Sequence, residues 1–170
     1  MTVLNALRSW RTGNLAAFVV CVAMMSFALF TQYVWLMEPC PLCVFQRIAL
    51  IALGSIFLLA GMHAAGPFGR RIYAVLLAMA ALSGSVVSGR HVWLQNLPKD
   101  QVPACGPGLD FMIDTFPVLE VLNMVLSGSG ECAEVAWRFL GLTIPGWTLI
   151  SFLLLGSWGA WLNWTNSQKG

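Results

Sequence analysis

The sequence predicts an all-α membrane protein: an antiparallel four-transmembrane-helix bundle with one long outer loop. Three observations predict it. Hydrophobic residues make up 58% of the 170 residues and charged residues only 9%, whereas a soluble domain carries about a quarter charged residues. Four runs are almost free of charge, and each approaches the roughly 20 apolar residues that a helix needs to cross a bilayer core. The basic residues gather in alternate connecting segments, as the charge bias across a membrane requires. The same composition excludes other classes. Disorder requires low hydrophobicity and many charges. Nine Lys and Arg against seven Asp and Glu leave a net charge of +2, with no basic cluster to neutralise phosphates, so no nucleic-acid partner is expected.

The chain reads as one integral membrane domain, 1–170. The first span is 15–35, Leu15 to Trp35, and holds no charge. Arg8 and Arg11 before it match the flank of a signal peptide. The apolar run is about twice too long for one and no small-residue cleavage site follows, so the span is expected to be retained. The second span is 44–62, Val44 to Met62, broken only by Gln46 and Arg47 near its start. The third, 72–88, and the fourth, 146–164, are uncharged. Arg8, Arg11, Arg70, Arg71 and Lys169 fall in segments without acids, and four spans put those segments on one side. The positive-inside rule makes that side the cytoplasm, with both termini on it. Two loops face outward, 37–43 and 89–143; the second holds six of the seven acidic residues. Trp10, Trp35, Trp93, Trp147 and Trp164 lie near the predicted interfaces, as an aromatic belt does. Gly54 and Ser55, with Ser83, Gly84, Ser85 and Ser88, allow close helix approach.

Four of the five cysteines fall on the outer side, where disulfides form and persist. Cys40-Pro41-Leu42-Cys43 is a CxxC immediately before the second span. Helix N-termini, nearby cations and CxxC spacing each favour a thiolate. Arg47 lies one turn beyond Cys43 on the same helix face. An arginine at that depth snorkels or finds an anion, here a thiolate or a polarised ligand oxygen. A structural disulfide or half a zinc site is the bland alternative for the CxxC, and an interfacial cation for Arg47. Cys105 sits in Val102-Pro103-Ala104-Cys105-Gly106-Pro107-Gly108, an extended and accessible setting. Cys132 follows the Gly/Ser run 127–130, which is expected to be mobile. A Cys105–Cys132 bond closes a loop of about 27 residues, worth roughly 3–4 kcal/mol if it is structural. Four cysteines allow three pairings, so connectivity stays open. Glu131 and Glu134 are expected to disfavour a thiolate at Cys132. The run 116–126 is nearly all apolar but too short to span; it reads as a helix at the membrane surface, or as packing on the bundle end. Cys21, alone inside the first span, reads as a small apolar residue.

Together these features resemble the disulfide bond formation protein B (DsbB) family over nearly the whole chain. The resemblance rests on four spans, a CxxC followed by an arginine, and a loop cysteine after Pro103-Ala104. It continues through Gly130-Glu131-Cys132-Ala133-Glu134 before Trp137-Arg138-Phe139-Leu140-Gly141-Leu142. It implies a bacterial inner-membrane, multi-pass oxidoreductase. Such a protein reoxidises a periplasmic DsbA-like thioredoxin-fold dithiol protein and passes two electrons to the membrane quinone pool, ubiquinone or menaquinone. It implies two redox pairs, Cys40–Cys43 and Cys105–Cys132. Cys105 would take the mixed disulfide with the partner. Cys132 would attack Cys40 and release Cys43 beside Arg47 and the quinone. His91, at the outer end of the third span, reads as a quinone hydrogen-bond partner or as an interfacial polar residue. No GxGxxG or P-loop pattern supplies a nucleotide cofactor.

Three rivals follow from the same residues. A vitamin K epoxide reductase-like enzyme also joins four helices, a CxxC and a quinone, but typically carries its CxxC late in the chain. A non-enzymatic four-span scaffold with structural disulfides leaves Arg47 beside a CxxC without a reason. Zinc on Cys40, Cys43, Cys105 and Cys132 is opposed by the oxidising compartment and the mobile loop, so no metal is expected.

Overall fold

The computed structural model describes residues 9–63, 65–98, 100–104, 106, 109–135 and 137–168. Four long helices dominate: α1 (Trp10–Tyr33), α2 (Pro41–Met62), α3 (Pro67–Gln95) and, last in the chain, α7 (Ile144–Ser167). Prolines mark three of the starts, Pro41, Pro67 and Pro145. A proline in the first turn sacrifices only an N–H that has no helical partner. The first three helices are long and apolar enough to cross a membrane. They show solvent-facing Val19, Ile48, Ile51, Met79 and Leu82, an outward apolar surface that suits lipid.

The bundle closes on Ala17, Cys21, Leu50, Leu53, Phe57, Leu77, Ala81 and Phe152. The most extensive helix pair is α3 with α7, and small residues set its spacing. A Cβ on Gly156 would meet the Ala81 Cβ at 2.4 Å, and one on Gly84 would meet the Phe152 ring at 2.5 Å. Substitution at either position therefore forces the helices apart. Gly84 does so as the small-residue reading anticipates. Ser83 and Ser85 instead turn their hydroxyls back to the carbonyls of Ala80 and Ala81 on their own helix.

The predicted outer loop is largely helical. Helix α3 runs past Ser88 to Gln95, and α4 (Leu109–Thr115), α5 (Val118–Ser127) and α6 (Gly130–Ala133) follow. Val121 and Val125 of α5 pack with Leu42, Leu94, Met112 and Cys132 in a second core on the bundle end. Val118 and Leu119 on its other face stay exposed. The Gly/Ser run forms a tight connection: Gly128 takes a positive φ of 85° as the α5 cap, and Ser129 is buried. One small departure from an all-helical chain precedes α7. Strands β1 (Arg138–Phe139) and β2 (Leu142–Thr143) pair antiparallel, with Phe139 opposite Leu142. Leu140 and Gly141 turn between them at φ 50° and 81°, the two positive values that a tight hairpin needs.

Candidate functional site

The start of α2 organises the site. Cys40 is its N-cap and Pro41 its first residue, and the Cys40 sulfur accepts the Cys43 N–H at 3.3 Å. One turn of helix thereby brings the Cys40 and Cys43 sulfurs to 2.9 Å. Cys132 reaches the same point from α6. Its side chain is 1% exposed, its Sγ lies 3.5 Å from the Ser129 hydroxyl, and it faces the Cys40 sulfur and the backbone N–H of Leu42. Three sulfurs from two distant parts of the sequence thus gather over the first turn of α2. Cys105, the fourth cysteine singled out above, lies outside the described residues.

The three sulfurs are not equivalent. The hydrogen bond from Cys40 draws the Cys132 thiol down to about 6; burial opposes this, while Ser129 and the Leu42 N–H assist. Cys40 is pushed well above the ordinary thiol range, because its proton is held against Cys132 and Cys43 and because it is buried. The expectation that Glu131 and Glu134 disfavour a thiolate at Cys132 is therefore corrected. Both glutamates are exposed, where water and salt screen them, whereas the sulfur and amide donors touch Cys132 directly.

His91 enters from α3. It is 2% exposed, with Nε2 3.8 Å from the Cys40 sulfur and Nδ1 3.0 Å from Nε2 of the buried Gln46. A Gln46 N–H donated to Nδ1 leaves the imidazole proton on Nε2, facing the sulfurs. Arg47 turns toward α1: it donates to the Ala28 carbonyl at 3.0 Å and to the Gln32 side chain. Those two acceptors hold the guanidinium at this depth.

Cys40, Cys43, Arg47 and His91 all line one cavity of about 940 Å³. Its walls are α1 residues such as Met24 and Phe27, together with Leu50, Ile144 and Trp147. Around its rim Trp137 stacks on Phe139 at 5.7 Å and meets Trp35 at 6.4 Å. Gln95 also lines it, and the Gln95 Oε1 is buried without a hydrogen-bond partner among the described residues. A large apolar cleft with a few convergent polar groups is the usual form of a site for an organic cofactor. Here the guanidinium and imidazole supply donors and Gln95 an orphaned acceptor. The two donors fit a flat, carbonyl-bearing ring with an apolar tail, and the Gln95 acceptor fits a hydroxyl of the same ring once reduced.

Sequence reading missed Gln46, Gln32, Ser129 and Gln95 in this site. Gln46 carries the one signal that was visible, a polar residue just inside a predicted span, where polar groups tend to be functional. Cys21 lies buried in the bundle core, 4% exposed, away from the other sulfurs.

The model of the family "Disulfide bond formation protein DsbB" matches residues 10–162. Disulfide bond formation protein B of Nitrosococcus oceani is 54% identical over 144 residues, 85% of each chain. That of Hahella chejuensis is 51% identical over 143 residues, 84% of this chain and 87% of its own. That of Methylococcus capsulatus is 47% identical over 163 residues, 96% of this chain and 99% of its own. With a match along nearly its whole length and three sulfurs gathered at the head of a membrane helix, the chain belongs to the disulfide bond formation protein B family.

Proposed function

We propose that the protein oxidises a periplasmic thioredoxin-fold dithiol partner and delivers the two electrons to a membrane quinone. It works in the bacterial inner membrane with four spans, 15–35, 44–62, 72–88 and 146–164, and both termini in the cytoplasm. The observation that carries this reading is the packing of Cys132 beside Cys40 at the edge of the cavity that holds Arg47 and His91.

The redox pairs are Cys105–Cys132 and Cys40–Cys43. A partner thiolate attacks Cys105; the Cys105–Cys132 bond breaks and Cys132 leaves with the electron pair. With Cys40 still in its disulfide, the Ser129 hydroxyl and the Leu42 N–H remain to stabilise the departing Cys132 thiolate, which favours its departure. The Cys132 thiolate then attacks the Cys40 sulfur, the Cys40–Cys43 bond breaks, and Cys43 departs as the thiolate. The partner's second thiol attacks its own sulfur in the mixed disulfide, freeing the oxidised partner and the Cys105 thiolate. Cys105 next attacks Cys132, which restores the loop disulfide and leaves Cys40 and Cys43 reduced by two electrons. A quinone, when bound, supplies the two-electron, two-proton acceptor that the side chains lack. Arg47 and His91 would hold its ring carbonyls by hydrogen bonds, Gln95 Oε1 would accept from a hydroxyl of the reduced ring, and the apolar wall excludes water.

The test follows ubiquinone and menaquinone absorbance with purified protein and a reduced periplasmic thioredoxin-fold partner. Wild type is expected to reduce at least one quinone, and Cys43→Ser to fall to background. A folded wild type that reduces neither overturns the proposal, as does a Cys43→Ser variant with full activity.

A further inference from the structure

We propose that the fully reduced protein is a redox-gated binding site for a soft divalent metal ion, zinc above all, built from Cys40, Cys43, Cys132 and the Nε2 of His91. The ligating atoms of Cys40, Cys43 and His91 all lie within 4.8 Å of one another, and Cys132 belongs to the buried cluster against which Cys40 packs, so a side-chain rotation would bring its sulfur to the set. Three thiolates and an imidazole are a common tetrahedral zinc set, with C-x2-C supplying two of them. Zinc–sulfur bonds of about 2.3 Å place tetrahedral sulfurs about 3.8 Å apart. The Cys40 and Cys43 sulfurs stand at 2.9 Å, so they need only part by side-chain rotation. This set differs from the four-cysteine set weighed in the sequence by replacing Cys105 with His91. Cys132 is buried and bonded to Ser129, and Cys105 takes no part.

Two further features suit the ion. The cavity reaches Cys40, Cys43 and His91 and so offers an access route. Gln46 sits on the other nitrogen of His91; by presenting its carbonyl instead of its N–H, it accepts the Nδ1 proton while Nε2 binds metal. Such outer partners are worth about 10–100-fold in affinity. Binding is redox-neutral: the three sulfurs bind as thiolates, any proton they still carry is released to solvent, and the ion keeps its charge. The gate follows, because the Cys40–Cys43 disulfide has no thiolates to offer. An occupied site holds the thiols reduced and blocks their return to disulfide. The inference does not depend on the quinone reading, since neither quinone nor partner enters it.

Anaerobic titration with Co²⁺ is the test, with wild type either fully reduced or oxidised at Cys40–Cys43, so that the main comparison needs no substitution. Reduced protein is expected to bind one Co²⁺ with tetrahedral visible bands and strong thiolate charge transfer, bleached by Zn²⁺, at least 100-fold tighter than oxidised protein. Gln46→Leu is expected to weaken binding 10–100-fold and Gln46→Glu to restore it. Cys105→Ser should leave the spectrum unchanged. Absence of a tetrahedral spectrum in the reduced state overturns the proposal. So does equal binding by the oxidised state, an unchanged spectrum in Cys132→Ala or His91→Gln, or a changed one in Cys105→Ser.

Discussion

The bundle buries polar side chains at both ends, and the two groups are built differently. At the end nearer the chain termini, the Trp10 indole donates to Asn163 at 2.5 Å, Asn163 donates to Asn14 at 3.0 Å, and Asn14 donates back to the Trp10 carbonyl at 2.7 Å. Arg70 lies over the Trp10 ring at 4.9 Å and donates to the Asn166 carbonyl at 2.8 Å. Asn14 and Asn163 are fully buried and each has partners. At the other end Cys40, Cys43 and His91 share weaker sulfur contacts and Gln46 bonds His91; all four border a large cavity, beside Gln95 Oε1, which has no partner among the described residues. Satisfied polar groups fix helix register at a low energy. Groups left short of partners beside a cavity are available to a ligand. Buried polarity alone therefore does not mark a reactive site; incomplete satisfaction beside a cavity does.

The largest effect should come from breaking the sulfur end. Cys132→Ser is expected to abolish oxidation of the partner, while thermal stability in detergent stays close to wild type. If Cys132→Ser retains partner oxidation, the relay from Cys132 to Cys40 is wrong. Arg47→Ala comes next. Loss of a charge-assisted hydrogen bond costs about 1.5–3 kcal/mol, so the quinone KM should rise roughly ten- to a hundredfold with less change in the partner's KM. An unchanged quinone dependence removes Arg47 from the site.

The opposite end should respond in the opposite sense. Asn163→Ala leaves the Trp10 indole and the Asn14 amide without their shared partner, a cost of about 1–3 kcal/mol in stability. Turnover per folded molecule should hold. Equal losses of stability and of specific activity would erase the distinction between the two ends.

Proton position sharpens the comparison further. Cys132 is drawn down to about 6 from an ordinary thiol value of 9.0, chiefly by Cys40. Its thiolate is therefore present at neutral pH and is lost as pH falls through about 6. In reduced protein the normalised alkylation rate of Cys132, read by peptide mass, should be half-maximal near pH 6. Cys40→Ala should move that midpoint up toward 9. A midpoint insensitive to Cys40 would show that the two sulfurs do not share a hydrogen bond.

Much of this was legible from one sequence because membrane physics is blunt. Uncharged runs marked the long helices, and the Cys40–Cys43 spacing at a helix start marked the reactive turn. Other features depended on how helices meet, which hydropathy does not encode. The relative heights of α2 and α3 decide that His91 faces Cys40 and Gln46. The packing of Val121 and Val125 on the bundle end decides that Cys132 is buried. Arg47 was recognised but its acceptors were not, since Ala28 offers only its carbonyl and backbone groups leave no trace in residue identity. The hairpin was missed because Leu140 holds a positive φ that leucine rarely adopts.

The smallest effect should fall on Cys21, which belongs to neither end. It lies in the bundle core with Ala17, Leu50 and Leu53, and its Cβ is 3.2 Å from where a Cβ on Gly54 would stand. Cys21→Ala removes only the sulfur. The tight approach of α1 to α2 rests on the Cβ, which alanine keeps, so stability should change by no more than about 1 kcal/mol. Activity should stay within about twofold of wild type, since no step above uses this thiol. A bulkier change, Cys21→Leu, should destabilise the protein by about 1–3 kcal/mol through overpacking. If Cys21→Ala instead lost activity at unchanged stability, a fifth sulfur would have to join the relay. Position would then no longer separate reactive cysteines from packing ones.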